Sequence, residues 1–209
     1  MLLIKSKYKI AKRLGASVFE KTQSQKFALS EARSPKKVRG GRGGRGGGSD
    51  YGKQLLEKQR VRFTYGLSER QLSSYAESAF THKDPSSALN ESLEMRVDNT
   101  IYRAGLATTR RAARQIVSHG HIIINGTRTT VPSHRLKTGD VVTVREGSRT
   151  SPLFAGLLNP DSETEKRTPP TWLALDVKSP LTVTVTASPR YDKSEGGLDY
   201  ATVFEFYSR

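Results

Sequence analysis

Residues 39–48 read Arg-Gly-Gly-Arg-Gly-Gly-Arg-Gly-Gly-Gly, a run that offers a hydrophobic core nothing to bury. Glycine carries the largest backbone entropy cost on ordering, so the run also opposes the interior of a helix or strand. It divides the chain into a basic leading stretch and a longer remainder. Gly41, Gly43 and Gly46 spell a literal GxGxxG, but no strand pattern precedes them and no helix opens within them, so they are no dinucleotide fingerprint. Gly48 is followed by Ser49-Asp50 rather than Lys-Ser/Thr, which excludes a Walker loop. The reading left is a flexible basic linker. It serves either as a spacer or, as Arg39, Arg42 and Arg45 favour, as a contact for nucleic acid.

Charge follows the same division. Lys and Arg number 35 against 20 Asp and Glu, a net charge of +15 over 209 residues. Residues 1–49 hold 13 bases and 2 acids, whereas residues 148–209 hold 7 and 8. So asymmetric an arm usually neutralises phosphates. A basic tail can also touch an anionic membrane, but with Leu at position 2 no lipidation signal supports that case, and no membrane partner is expected. Cysteine is absent, which removes disulfide scaffolds, thiol nucleophiles and cysteine zinc sites. No apolar run approaches the roughly 18 residues of a membrane span, and Leu2-Leu3-Ile4 meets Lys5 too soon for a secretory segment. A soluble, intracellular, polyanion-binding protein without cofactor or small-molecule substrate is the expectation.

Residues 1–38 show little periodicity and read, with the glycine tract, as a basic extended arm over 1–48. Helical patterns then begin. Ser49 or Asp50 caps a helix to about Tyr65, and Ser68 with Gln71 forms a capping box. Behind that box Leu72, Tyr75, Ala76, Ala79 and Phe80 make an apolar stripe. Asp84-Pro85 opens one further helix, lined by Leu89, Leu93, Val97 and Ile101 and stopped by Gly105. Thr108 or Thr109 caps a helix to His119, with Ala113, Ile116 and Val117 facing inward. Ile122–Ile124 runs through Asn125-Gly126 into Thr127–Thr129, a tight hairpin. Further strands are expected at Val141–Arg145, Trp172–Val177, Leu181–Thr186 and Val203–Tyr207. The fold class is therefore α+β. Its parts are the arm (1–48), a helical domain (49–90), a small antiparallel α/β module (91–147), and a connector with C-terminal strands (148–209).

The helix opening at Thr108-Thr109 is the informative site. Arg110, Arg111 and Arg114 crowd its first turns, where the macrodipole disfavours a cation by about 0.3–1 kcal/mol. A sequence selected for folding alone would more readily place Asp or Glu there. Arginines beside free N–H groups make sense where phosphates dock. They are accordingly expected to contribute to RNA binding and little to stability.

Several motifs together resemble the S-four RNA-binding fold. They are Met95-Arg96-Val97-Asp98-Asn99, Tyr102-Arg103-Ala104-Gly105, Thr109-Arg110, Gln115 through Gly120, Ile124-Asn125-Gly126 and Gly139-Asp140-Val141-Val142. The likeness widens to the small-subunit ribosomal protein S-four family in Lys7-Tyr8-Lys9, Arg13-Leu14-Gly15, Asp50-Tyr51-Gly52, Glu57 through Arg62, Pro170 through Leu173 and Glu205 through Arg209. That resemblance implies a structural, non-enzymatic binder of small-subunit rRNA. It also implies an early assembly nucleator on the 5′ domain, in contact with ribosomal protein S-five and other small-subunit proteins. The implied place is the cytoplasmic ribosome, of bacterial or organellar type, with a part in translational accuracy. Relatives often bind zinc through N-terminal cysteines; this chain has none, so no metal is expected.

Candidate rRNA contacts in the arm are Lys5, Lys7, Tyr8, Lys9, Lys12 and Arg13, then Lys36 and Lys37 with the three tract arginines. The helical domain adds Tyr51, Lys53, Lys58, Arg60 and Arg62. The module adds Arg103, Thr108, Thr109, Arg110, Arg111, Arg114, Ser118, His119, Asn125 and Arg128. Tyr8, Tyr51 and Tyr102 either stack on bases or pack within the fold. His119, His121 and His134 lack further ligands for zinc. Arg96-Val97-Asp98 is similar to the catalytic motif of pseudouridine synthases, but no catalytic domain fits in the remainder. A free-standing RNA-binding stress or chaperone protein is the alternative.

RNA affinity should fall steeply with salt, with a log–log slope of about −0.7 to −0.9 per neutralised phosphate. Titration at several salt concentrations measures it. Deleting residues 1–48 should flatten the slope by several units while a thermal unfolding transition survives.

Overall fold

The computed structural model describes residues 4, 6–33, 49–154, 168–176, 181–192 and 197–208. Lys5, Lys36, Lys37, Arg39, Arg42, Arg45 and most of the expected connector lie outside them. The chain separates into two units. One comprises Met1–Leu89 with Asp192–Arg209, and the other Asn90–Tyr191.

Where an extended arm was expected, residues 6–33 are helical. Helix α1 (Lys7–Leu14) is followed by short 3₁₀ turns at Ala16–Val18 and Glu20–Gln23, then by α2 (Gln25–Ala32). Ala11, Leu14, Val18, Phe19 and Phe27 are buried together, with Leu56 and Phe63 packed against them. The Phe27 ring meets Tyr8 edge-on at 5.4 Å, and Phe19 meets Phe63 at 6.3 Å. No single period links these positions, because the 3₁₀ turns and Gly15, at φ +109°, change the chain's direction between them. Helix α3 (Asp50–Thr64) opens on Ser49, whose Oγ accepts from the Gly52 N–H at 3.2 Å. Helix α4 (Glu69–Phe80) opens on the expected capping box. Leu72, Ala76 and Ala79 of its stripe are buried, while Phe80 is 42% exposed.

Helix α5 (Pro85–Glu94) ends early. Instead of continuing to Gly105, the chain turns extended at Arg96 and restarts as α6 (Val97–Arg103). The interruption is held from outside the helix. The Leu136 N–H donates to the Met95 carbonyl at 2.8 Å, and the Val97 and Asp98 N–H groups donate to the carbonyls of His134 and Pro132. A period of apolar residues carries straight across the break, so the pattern concealed it.

Helix α7 (Arg110–Ser118) leads into β1 (Ile122–Ile124) and β2 (Thr127–Thr129), joined by Asn125 and Gly126 at φ +47° and +83°. Asn125 braces the base of this turn: its Oδ1 accepts from the Val141 N–H and its amide donates to Asp140. Strand β3 (Val141–Val144), short helix α8 (Glu146–Arg149), β4 (Leu173–Leu175) and β5 (Thr182–Val185) complete an antiparallel sheet in the order β2-β1-β3-β5-β4. Val97, Ile101, Ala113, Ile116 and Val117 of α6 and α7 are buried with Ile122, Val142, Val144, Val183 and Val185 of the sheet.

The expected strand at 203–207 is instead helix α9 (Tyr200–Tyr207), capped by Asp199, whose Oδ1 accepts from the Thr202 N–H. Valine and aromatic residues suit strands by local preference. Here α3 supplies a partner at helical spacing, and tertiary packing overrides the preference. Tyr200 hydroxyl meets Tyr65 hydroxyl at 3.1 Å, Gln54 donates to Glu205 at 3.0 Å, and Phe204 meets Phe80 at 4.7 Å.

Phe27→Ala separates a folded N-terminal segment from an arm. Loss of the buried ring should cost about 3–5 kcal/mol, read by denaturant unfolding of the full chain. Deletion of residues 1–48 removes the same cluster, so the thermal transition that survives it should have a lowered midpoint.

Candidate nucleic-acid interface

Helix α7 is amphipathic by sequence and capped by Thr109, whose Oγ1 accepts from the Ala112 N–H at 3.1 Å. Ala113, Ile116 and Val117 face the core, and Arg111 and Ser118 are exposed. Arg110 and Arg114 are neither fully buried nor fully exposed. Their placement is set by polar groups on α6 and at the end of α5. Glu94, Arg96, Asp98, Asn99 and Thr100 are all buried, a polar layer beneath the basic face.

Two acids organise this layer. Asp98 accepts from Arg96 Nε and Nη2 at 3.0 and 2.8 Å, and from Arg114 Nε at 2.8 Å. Glu94 accepts from Arg103 Nε and Nη2 at 2.9 and 2.7 Å, and from the Asn99 amide. Asn99 in turn accepts from Arg110 Nε at 2.8 Å, and the Arg110 guanidinium lies 4.3 Å from the centroid of the Tyr102 ring. Tyr102, one of the candidate stacking residues, is itself buried. The expectation that all three arginines contribute little to stability is at odds with these contacts for Arg110 and Arg114, which are bonded to buried groups. Only Arg111 of the three has no partner among the described residues.

At the other end of α7, Arg128 reaches back to the terminal carbonyls, donating to Gly120 at 3.1 Å and His119 at 3.2 Å. Gly120, at φ +72°, admits this: a Cβ there would lie 2.3 Å from Arg128 Nε. His119 is exposed. His121 Nδ1 lies 2.9 Å from Ser148 Oγ. Burial, then His119, Arg145 and Arg128, hold the His121 imidazole below its ordinary pKa. Ser118 Oγ donates to the Arg114 carbonyl, Thr108 is exposed, and Asn125 is occupied in bracing its turn. Asp98, considered as a catalytic acid, is a buried ion-pair partner. Among the described residues no group of His, Asp and Glu is placed to hold a metal.

The candidates of the helical unit divide differently. Lys58 is buried: its Nζ donates to Glu69 at 2.7 Å and lies 4.0 Å from the Phe206 ring centroid, an internal cation–π contact. Its expected exposure to RNA is overturned. Arg60 donates to the Leu14 carbonyl at 2.9 Å and pairs with Glu57, and Arg62 donates to the Leu67 carbonyl and Gln59. Lys12 donates to the Ser30 carbonyl, and Tyr8 packs on Phe27. Lys9, Arg13, Tyr51 and Lys53 are exposed, with Lys7 partly so. The supporting roles of Glu94 and Asn99 were missed. Their signal was an acid and an amide lodged among arginines, in a segment whose apolar spacing read as plain helix.

The sequence matches two family models in succession. Residues 3–95 match the ribosomal protein S4/S9 N-terminal domain, and residues 95–142 match the S4 domain. Among curated relatives, small ribosomal subunit protein uS4 of Chloroflexus aurantiacus is 39% identical over 202 residues, covering 96% of each chain. Its counterpart in Roseiflexus sp. is 40% identical over 202 residues with the same coverage. That of Borrelia turicatae is 38% identical over 205 residues, 98% of this chain and 96% of its own. The chain belongs to the uS4 family of small ribosomal subunit proteins. The family is structural rather than enzymatic, and its S4 domain coincides with the segment carrying α6, α7 and the hairpin.

Arg114→Gln should cost about 1–3 kcal/mol, because Asp98 stays buried with one charged donor fewer. Arg111→Gln should leave stability unchanged. Chemical denaturation of the two variants side by side measures the contrast.

Proposed function

We propose that this chain is an rRNA-binding structural component of the small ribosomal subunit, acting without catalysis or cofactor. The observation that carries the reading is the likeness to uS4 relatives over 96% of the chain, in both directions of coverage. The geometry suits it. Arg103, Arg111 and Arg114 share the α6–α7 region with the capped N-terminus of α7, where guanidinium forks and backbone donors can serve phosphates together. Phosphate contacts of this kind position a protein on RNA without reading its sequence.

The S-four module over 91–147 is the RNA-binding domain of this reading. Lys9, Arg13, Tyr51, Lys53, Thr108, Ser118, His119 and Arg128 are the further contact candidates whose described positions leave them accessible. Early nucleation of assembly on the 5′ domain, contact with ribosomal protein S-five and a part in translational accuracy belong to the same proposal, resting on family resemblance. So does residence in the cytoplasmic ribosome. No described helix is long and apolar enough to cross a membrane. The full-length likeness favours this over a free-standing stress or chaperone protein.

Co-sedimentation with small subunits after a high-salt wash tests it. The full chain should remain with the subunit, and a chain that binds RNA but washes off would support the free-standing alternative. Arg111→Gln should weaken binding to small-subunit rRNA several-fold, since a charge-assisted hydrogen bond is worth about 1.5–3 kcal/mol before screening.

A further inference from the structure

Glu94 and Asp98 carry the wrong charge for a surface that binds a polyanion, yet both lie directly beneath it. Their side chains are 5% and 4% exposed, while Arg103 and Arg114 above them are 38% and 18% exposed. By charge alone each acid repels a phosphate docked on that face. Folding accounts for part of this, since Asp98 also pairs with the buried Arg96, but a buried ion pair is often matched or bettered by apolar residues of the same volume. What the acids do share is geometry. Every arginine they serve is tied at Nε: the buried Arg96 and, on the basic face, Arg103 and Arg114 directly, and Arg110 through Asn99. The Asn99 amide donates to Glu94 and accepts from Arg110, two roles that neither a carboxylate nor an aliphatic side chain could fill together.

We propose that Glu94 and Asp98 are positioning residues for RNA binding, fixing the guanidiniums of Arg103, Arg110 and Arg114 before phosphates arrive. The inference rests on the reading of this face as the rRNA interface. A loose arginine surrenders rotamer freedom when it grips a phosphate, and one already tied at Nε surrenders less. The ties also hold Arg110 and Arg114 near an N-terminus whose dipole would otherwise push them away. Arginine suits these three positions better than lysine: its Nε–H and its terminal N–H groups leave one rigid plane in fixed, different directions, whereas lysine's three donors share a single nitrogen on a flexible stem.

The two accounts of the acids predict opposite signs. If charge governs, Asp98→Asn and Glu94→Gln make the face more positive and tighten binding to a small-subunit rRNA transcript at fixed salt. If positioning governs, each binds about tenfold more weakly, equivalent to about 1.4 kcal/mol. Dissociation constants are measured well below each variant's melting temperature, so that only folded protein is compared. Because these buried sites bear on stability, a second series keeps both acids and all charge: Arg114→Lys and Arg103→Lys against Arg111→Lys. The first two should lose about tenfold in affinity and Arg111→Lys should lose little. Parental affinity in the Asn and Gln variants, or equal losses across the three Lys variants, would overturn the positioning role alone. A parent chain that fails to bind the transcript would overturn the rRNA reading and this inference with it.

Discussion

The carboxylate of Asp98, buried between Arg96 and Arg114, is the contact on which the second unit's organisation turns. Arg96 can face Asp98 only two residues away because the backbone goes extended at that point and restarts as a new helix. That break lets residues 132–136 donate and accept along the gap. The same carboxylate reaches across to α7, sixteen residues further on, and fixes one edge of its basic face. A charge so placed is tolerated only with good geometry and several donors, and three N–H groups meet that condition here.

The first unit depends on a different device. Helix α3 is flanked by the N-terminal cluster through Leu56 and Phe63 and by α9 through Gln54, Lys58 and Tyr65. Lys58 exemplifies the change of role that burial imposes. With its ammonium between Glu69 and the Phe206 ring, a residue that reads as a phosphate ligand becomes a pin between helices. Tyr207, donating to the same Glu69, has its hydroxyl pushed well above the ordinary phenol range by burial and by that carboxylate.

Much of this was legible in the sequence where one local rule decided the outcome. The Ser68–Gln71 box, the Thr109 cap and the Asn125-Gly126 turn depend on neighbours within a few residues, and each stands where its pattern placed it. The α+β class followed from them. The failures share a cause: a partner distant in the chain. Residues 203–207 became a helix because Tyr200, Val203 and Phe204, at helical spacing, are buried where α9 meets α3 and α4, Tyr200 against Tyr65 and Phe204 against Phe80. The helix through Val97 divided because residues 132–136 claimed its backbone. Residues 6–33 folded because Phe19 and Phe27 found Leu56 and Phe63. On the basic face the arginines announced themselves, but which of them are held depended on Glu94, Asp98 and Asn99. Nothing in their spacing assigns such ties.

The chain order of the units carries a consequence for synthesis. Asn90–Tyr191 is continuous, whereas the first unit is assembled from Met1–Leu89 and a segment made after the whole of the other. During translation the S4-domain unit can therefore close on itself while α3 and α4 still lack α9. Until then the Lys58 ammonium has no Phe206 ring, and Tyr65 no Tyr200 hydroxyl, to meet. The inserted unit is thus positioned to mature first and the split unit last, an order written into the polypeptide before any RNA is engaged.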